Sequence, residues 1–227
     1  MQKLKIIYED NHIIVVEKPP NIPSQSDKTG DMDMLTIIKK YIKEKYNKPG
    51  NVYLGLVHRL DRPVGGVMIF AKTSKAASRL SNQVREKVFK KEYMAVVDGK
   101  FTKKEGTLVD YLYKDERNNI SKVVNKDKKN AKKAILDYKV LVYNEVKNLS
   151  LIKINLHTGR HHQIRVQLSN FKHSIFGDQK YGTRGRGKQI ALWAYKLTIE
   201  HPITKKKMEF EDLPESIGTW CILKEIN

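Results

Sequence analysis

The sequence predicts an α+β fold built on a mixed, mostly antiparallel sheet flanked by helices and loops. Short β-branched and apolar runs of strand length recur along the chain, and amphipathic stretches at helical spacing are interspersed among them. They lack the regular alternation of strand and helix that marks a parallel sheet. A length of 227 residues with 40% hydrophobic content is enough to form a buried core. No repeat, low-complexity linker or compositional break interrupts the chain, so residues 1–227 are expected to form a single domain.

His12 to Glu17 is a β-branched run closed by Pro19-Pro20-Asn21, a buried strand leading into a loop that extends through Gly30. From Asp33, the residues Leu35, Ile38, Tyr41 and Ile42 recur at helical spacing until Asn47-Lys48-Pro49-Gly50 stops the pattern. Val67 to Ala71 has strand length, and Ser74 is expected to cap a helix carrying Ala77, Leu80 and Val84 on one face. A strand from Glu92 to Val97 ends at Asp98-Gly99. Lys100 to Lys133 holds eleven basic and five acidic residues with few apolar ones, and reads as exposed loops around short strands. Ile135 to Val142 and Leu149 to Leu156 resemble a hairpin turning near Asn144. Thr158-Gly159 is expected to open a helix, and Leu192 to Ile199 and Met208 to Phe210 to form strands joined by the His201-Pro202 turn.

The formal charge of +19, from 44 basic against 25 acidic residues, points to a polyanionic partner, with nucleic acid the first candidate. The competing explanation is a compositional bias toward Lys, Asn and Ile, but such a bias should raise Glu along with Lys. A single cysteine, Cys221, excludes an internal disulfide and a thiolate zinc cluster. No run approaches the roughly 20 apolar residues of a membrane span. A reducing, cytoplasmic location without membrane attachment is therefore expected.

Two constellations carry chemistry. In Val57-His58-Arg59-Leu60-Asp61-Arg62-Pro63-Val64-Gly65-Gly66-Val67, a charged loop with two glycines precedes a strand, which suits a carboxylate held at a cleft. Arg59 and Arg62 would favour the ionised form of Asp61, making it a nucleophile or electrostatic stabiliser. A turn aspartate in a surface ion pair competes with that reading. In Leu156-His157-Thr158-Gly159-Arg160-His161-His162-Gln163-Ile164-Arg165-Val166-Gln167-Leu168, a glycine turn enters a helix whose amino terminus would attract phosphate. From Lys153 to Lys188, eight Lys or Arg stand against the single acid Asp178, a balance suited to contacting an RNA backbone. Gly182-Thr183-Arg184-Gly185-Arg186-Gly187 lacks the Lys-Ser/Thr ending of a P-loop, so no nucleotide cofactor is expected, and the segment reads as a mobile loop facing RNA.

Together these segments resemble the two signature stretches of the RluA-type branch of the pseudouridine synthases. Val15-Val16-Glu17-Lys18-Pro19-Pro20 is similar to that family's opening strand, Lys91 to Gly99 to its tyrosine segment, and Gly177-Asp178-Gln179-Lys180-Tyr181-Gly182 to a further landmark. The resemblance runs from about His12 to Leu197 and implies a single catalytic domain that isomerises uridine within RNA, with no cofactor or metal. It implies that Asp61 is the catalytic aspartate, that Tyr93 lies against the uracil and helps remove the proton from carbon 5, and that Arg165 pairs with Asp61. Arg59 matches the position filling the gap left by a flipped nucleotide, and Leu168 the position packed near the base. With His58, Arg62, Arg160, His162 and Gln163, these two form the expected RNA-binding set. The substrate implied is a loop or bulge uridine of ribosomal or transfer RNA, because an unpaired base costs least to extrude. A monomer is expected. Pro63, Gly65, His161 and Gln167 depart from residues frequent in the family. The pattern begins near residue 12, so no separate amino-terminal RNA-binding module is expected.

The residue chemistry agrees with this assignment, since a carboxylate beside the sugar lowers the barrier as the glycosidic bond breaks. A glycoside hydrolase would usually need a second carboxyl group, and none lies near Asp61 in sequence. One rival is a metal-dependent nuclease using His157, His161, His162, His173 and Asp178. Arg160 and Arg165 would disfavour a dication there. The other is a noncatalytic RNA-binding or assembly protein, which the residues Asp61, Tyr93 and Arg165 argue against.

Overall fold

Strand β2 (Ile13–Lys18) buries every residue except Glu17, and β4 (Gly65–Ala71) buries all seven. Such continuous apolar runs suit strands covered on both faces. They pair antiparallel, with Val15 opposite Ile69 and Lys18 opposite Gly66. The computed structural model describes residues 4–183, 185 and 187–226. Backbone proximity divides them into two compact units, Met1–Lys91 with Ala194–Leu213, and Glu92–Trp193 with Pro214–Asn227.

In the first unit, β1 (Ile6–Glu9) pairs with the outer edge of β2, and the two-residue β3 (Gly55–Leu56) pairs with β4. On the far side of β4 comes β10 (Leu192–Glu200), followed by β11 (Lys207–Glu211). A Cβ on Gly66, whose φ is +120°, would meet the Ala194 carbonyl oxygen at 2.3 Å. Only glycine allows the strands to approach so closely there. Helix α1 (Met34–Lys45) is capped by Asp33, which accepts from the Thr36 amide, and buries Met34, Ile38 and Ile42 at a spacing of four. Helix α2 (Ser74–Arg85) starts one residue earlier than expected, because Thr73 supplies the cap by accepting from the Ala76 amide. Ala76, Leu80 and Phe89 join Val15, Ile69 and Leu197 in the core of this unit.

The second unit is a five-stranded antiparallel sheet in the order β5-β9-β8-β6-β7. Its strands are β5 (Lys90–Asp98), which joins this unit from Glu92, β6 (Glu105–Asp115), β7 (Ile120–Val124), β8 (Lys132–Asn144) and β9 (Leu149–Leu156). The basic stretch expected to form loops around short strands instead holds the eleven-residue β6 and the start of the thirteen-residue β8. Cross-strand pairing explains the difference. From Glu105 opposite Lys139 to Leu112 opposite Lys132 the two strands run in register, and much of their charge sits on an outer face. Helix α3 (Gln163–Asn170) begins four residues beyond Gly159. Thr158 Oγ1 and the Arg160 amide both donate to Gln163 Oε1, which holds residues 158–162 in a turn. A 3-10 helix over Gly218–Glu225, near the end of the chain, follows no clear periodic signal in the sequence.

Candidate active site

In the first unit the carboxylate stands on the loop between β3 and β4. The Val64 amide donates to the Asp61 carbonyl at 2.9 Å, making a tight turn, and Leu60 is buried behind it. Ser24 fastens Leu60 from both sides, its hydroxyl donating to the Leu60 carbonyl and accepting from the Leu60 amide. Arg62 reaches from the turn to the loop before α1, bonding Asp31, Thr29 and the Asn21 carbonyl. Beneath the turn lies the fully buried Lys18, whose ammonium donates to the carbonyls of Pro19, Ile22 and Arg62 at 2.7 to 2.9 Å. Burial pushes its pKa down to about 7, the neighbouring Asp61 charge opposes that shift, and Arg62 adds to it. Asp61 itself is half-buried on the loop that these contacts hold.

His58, one of the expected RNA contacts, is bonded within the fold. Its Nε2 accepts from the Ile69 amide at 3.2 Å and its ring packs on Phe89, which assigns the proton to a buried Nδ1. Desolvation, together with the Lys91 charge, lowers its pKa to about 3, so the ring is neutral inside the fold. Arg59 is exposed and makes no ion pair among the described residues.

In the second unit, Tyr93 is buried on β5 opposite Ile154 of β9. Arg165, on α3, is also buried and makes a two-pronged ion pair with Asp178, at 2.7 Å through Nε and 2.6 Å through Nη2. Asp178 further accepts from the amides of Lys180 and Tyr181, and its pKa lies below the usual value because these donors and Arg165 outweigh its burial. The Tyr181 ring lies 5.1 Å from the Arg165 guanidinium carbon, and its hydroxyl meets His162 Nδ1 and the Ser121 amide. His161 stacks on His162 and bonds the Ser121 hydroxyl.

The remaining expected RNA contacts divide between surface and scaffold. Arg160 is exposed, with Nε on the Lys133 carbonyl. Gln163 is buried, bonding Thr158, Arg160, the Ile135 carbonyl and Gln167. Leu168 is fully buried in α3. Gln167 turns its amide to Asp110 and to the carbonyls of Leu108 and Ala134, which gives that departure from the family pattern a packing role. Sequence reasoning missed Lys18 and Asp178 as structural partners. The signal for Asp178 was its being the only acid between Lys153 and Lys188. Among the described residues no three His, Cys, Asp or Glu side chains group as a metal site, and His157 bonds Asp137 while His173 bonds the Asp98 carbonyl. No helix among them is long and apolar enough to cross a membrane. In the glycine-rich loop, Arg184 and Arg186 lie outside the described residues.

The fold is that of the pseudouridylate synthases. The solved structures of human RNA pseudouridylate synthase domain containing 1 and domain containing 4 superpose with TM-scores of 0.78 and 0.76, at 21% and 22% identity. They cover 96% and 93% of this chain, and 86% and 89% of those chains. Residues 12–170 match the family model described as RNA pseudouridylate synthase. An uncharacterised RNA pseudouridine synthase of Bacillus subtilis is 34% identical over 226 residues, 96% of this chain and 72% of the relative. Ribosomal large subunit pseudouridine synthase D of Haemophilus influenzae is 32% identical over 234 residues, 93% of this chain and 68% of the relative. The chain belongs to the RNA pseudouridine synthase family, and it is accordingly an isomerase whose substrate is RNA.

Proposed function

We propose that this enzyme converts specific loop or bulge uridines of structured RNA to pseudouridine, with ribosomal RNA favoured over transfer RNA, and that Asp61 is the residue on which the reaction depends. One observation carries the assignment to Asp61. The only carboxylate of the signature loop sits on a turn fixed by Ser24, Arg62 and the buried Lys18, the rigid support that a reacting group requires. The relatives named as ribosomal large subunit pseudouridine synthase D support the choice of ribosomal RNA and, with it, a cytoplasmic site of action.

The target nucleotide leaves its stack, because ring nitrogen 1 and carbon 5 are shielded within a helix. Asp61 assists cleavage of the bond from ribose C1′ to N1. The uracil turns, a bond forms from C1′ to carbon 5, the carbon 5 proton leaves to a base and N1 gains a proton. Tyr93 lies against the uracil ring and promotes loss of the carbon 5 proton, while Arg165 acts as the counter-ion of the catalytic carboxylate. Arg59, which is exposed and makes no ion pair among the described residues, fills the gap in the RNA. Arg160 and His162 contact the backbone. The enzyme acts as a monomer and needs no cofactor.

The test is release of tritium from RNA labelled at uracil carbon 5. Asp61→Asn should reduce release to background while RNA affinity stays within about threefold, because phosphate contacts supply most of the binding. Wild-type rates in that variant would refute the assignment.

A further inference from the structure

A cleft of about 470 Å³ opens on α1, away from the helix face that meets the core, and is lined by Lys39, Lys40, Lys43, Gly50, Asn51 and Val52. We propose that this cleft binds the sugar–phosphate backbone of the substrate RNA, at a distance from the nucleotide being modified. The inference needs the family's RNA substrate and not the roles given to Asp61, Tyr93 and Arg165.

Lys45, on the same helix, is neutralised by Glu9 at 2.8 Å, and Lys72 by the same carboxylate at 2.7 Å. In the cleft, Lys39 and Lys43 have no anionic partner among the described residues. Lys40 has only Glu44, at 3.9 Å between two exposed side chains, a contact of little strength in water. Three cations within five residues repel one another, and a phosphate chain would relieve that repulsion and release counterions. The favourable field at a helix carboxyl terminus acts over the last turn only, so it accounts for Lys43 and not for Lys39 or Lys40.

Shape and position agree. Gly50 places no side chain in the opening, and a Cβ there would meet nothing within 4 Å, so a backbone can lie against that wall. Asn51 adds an amide that can donate to a phosphate oxygen. The loop entering α1 is bonded to the Asp61 loop through Ser24–Leu60 and through Arg62 with Thr29 and Asp31. From Asp33 the lysines stand about 9 to 15 Å along the helix axis, at 1.5 Å per residue. The cationic cleft thus lies on a helix whose entry loop is fastened to the carboxylate loop, about two to three turns further along.

The experiment compares wild type with Lys39→Gln/Lys40→Gln/Lys43→Gln for binding to a transcribed large-subunit ribosomal RNA fragment, between roughly 50 and 200 mM salt. The plot of log affinity against log salt should lose about 2 from its slope, and affinity should fall about tenfold at the middle of the range. The Lys→Arg triple should behave as wild type. A Gln triple at exposed Lys75, Lys87 and Lys206 removes the same charge elsewhere and should change the slope by less than about 1. An unchanged slope in the cleft variant, or an equal loss in the control, overturns the proposal. In the wild type, Lys39 and Lys43 should be protected from acylation when RNA binds. Full reactivity in the complex overturns it independently of whether any variant folds. Absence of isomerisation on this fragment bears on the proposed substrate and leaves these binding results intact.

Discussion

Acidification should destabilise the first unit through His58, and the size of the effect follows from its surroundings. The ring accepts a hydrogen bond from the Ile69 amide, packs on Phe89 and is held near a pKa of about 3, against 6.5 for an unburied imidazole. Between these values the unfolded chain binds the proton and the folded protein does not, so stability is complete above about pH 6.5 and is lost as pH falls toward 3. At about 1.36 kcal/mol per pH unit, the loss reaches roughly 2 kcal/mol near pH 5 and approaches about 5 kcal/mol near pH 3. His58→Gln keeps an acceptor near Nε2 and does not titrate. It should be about 1 kcal/mol less stable than wild type near pH 7, from lost packing on Phe89. The two should become equal between about pH 5 and 6, and the variant should be the more stable below that. Urea unfolding followed by tryptophan fluorescence across this range measures the difference, in which the carboxylates common to both proteins cancel. Parallel profiles from pH 7 to 4 would refute a buried neutral ring and return His58 to the surface role its sequence suggested.

Lys18 should act in the alkaline range, where its folded pKa of about 7 lies below the ordinary 10.5, so that stability rises with pH between those values by at most about 1.4 kcal/mol per unit. Lys18→Met should abolish that rise in urea titrations and lower isomerisation at least tenfold, because the turn carrying Asp61 loses the donor that bonds the Arg62 carbonyl; an unchanged alkaline profile would remove the argument. Asp178→Asn replaces the two-pronged, charge-assisted contact with Arg165 by a neutral amide and should destabilise the protein by about 2 kcal/mol. Chemical denaturation showing a loss below about 1 kcal/mol would mean that the pair is dispensable.

The α+β class, the place of most strands and the two segments that carry chemistry were legible in the order of residues alone. These rest on local rules: β-branched runs extend, and Leu35, Ile38, Tyr41 and Ile42 at helical spacing form α1, although its buried face starts at Met34 and keeps only Ile38 and Ile42 of that set. The family was legible as well, since loop, tyrosine strand and glycine turn follow a fixed order along the chain. The partner that each charged or polar side chain obtains was set by the tertiary structure. His58, Arg62 and Gln163 look alike in sequence as candidates for RNA, yet their partners are Ile69, Asp31 and Ile135, residues brought near only by folding. Arg165 finds Asp178, and Lys18 finds the Arg62 carbonyl, for the same reason. The basic stretch after Lys100 became long strands because pairing between β6 and β8, invisible to local propensity, supplied what its own apolar content lacked. A hydrogen-bonding group records in sequence only that it needs a partner, and the folded chain alone fixes which one it obtains.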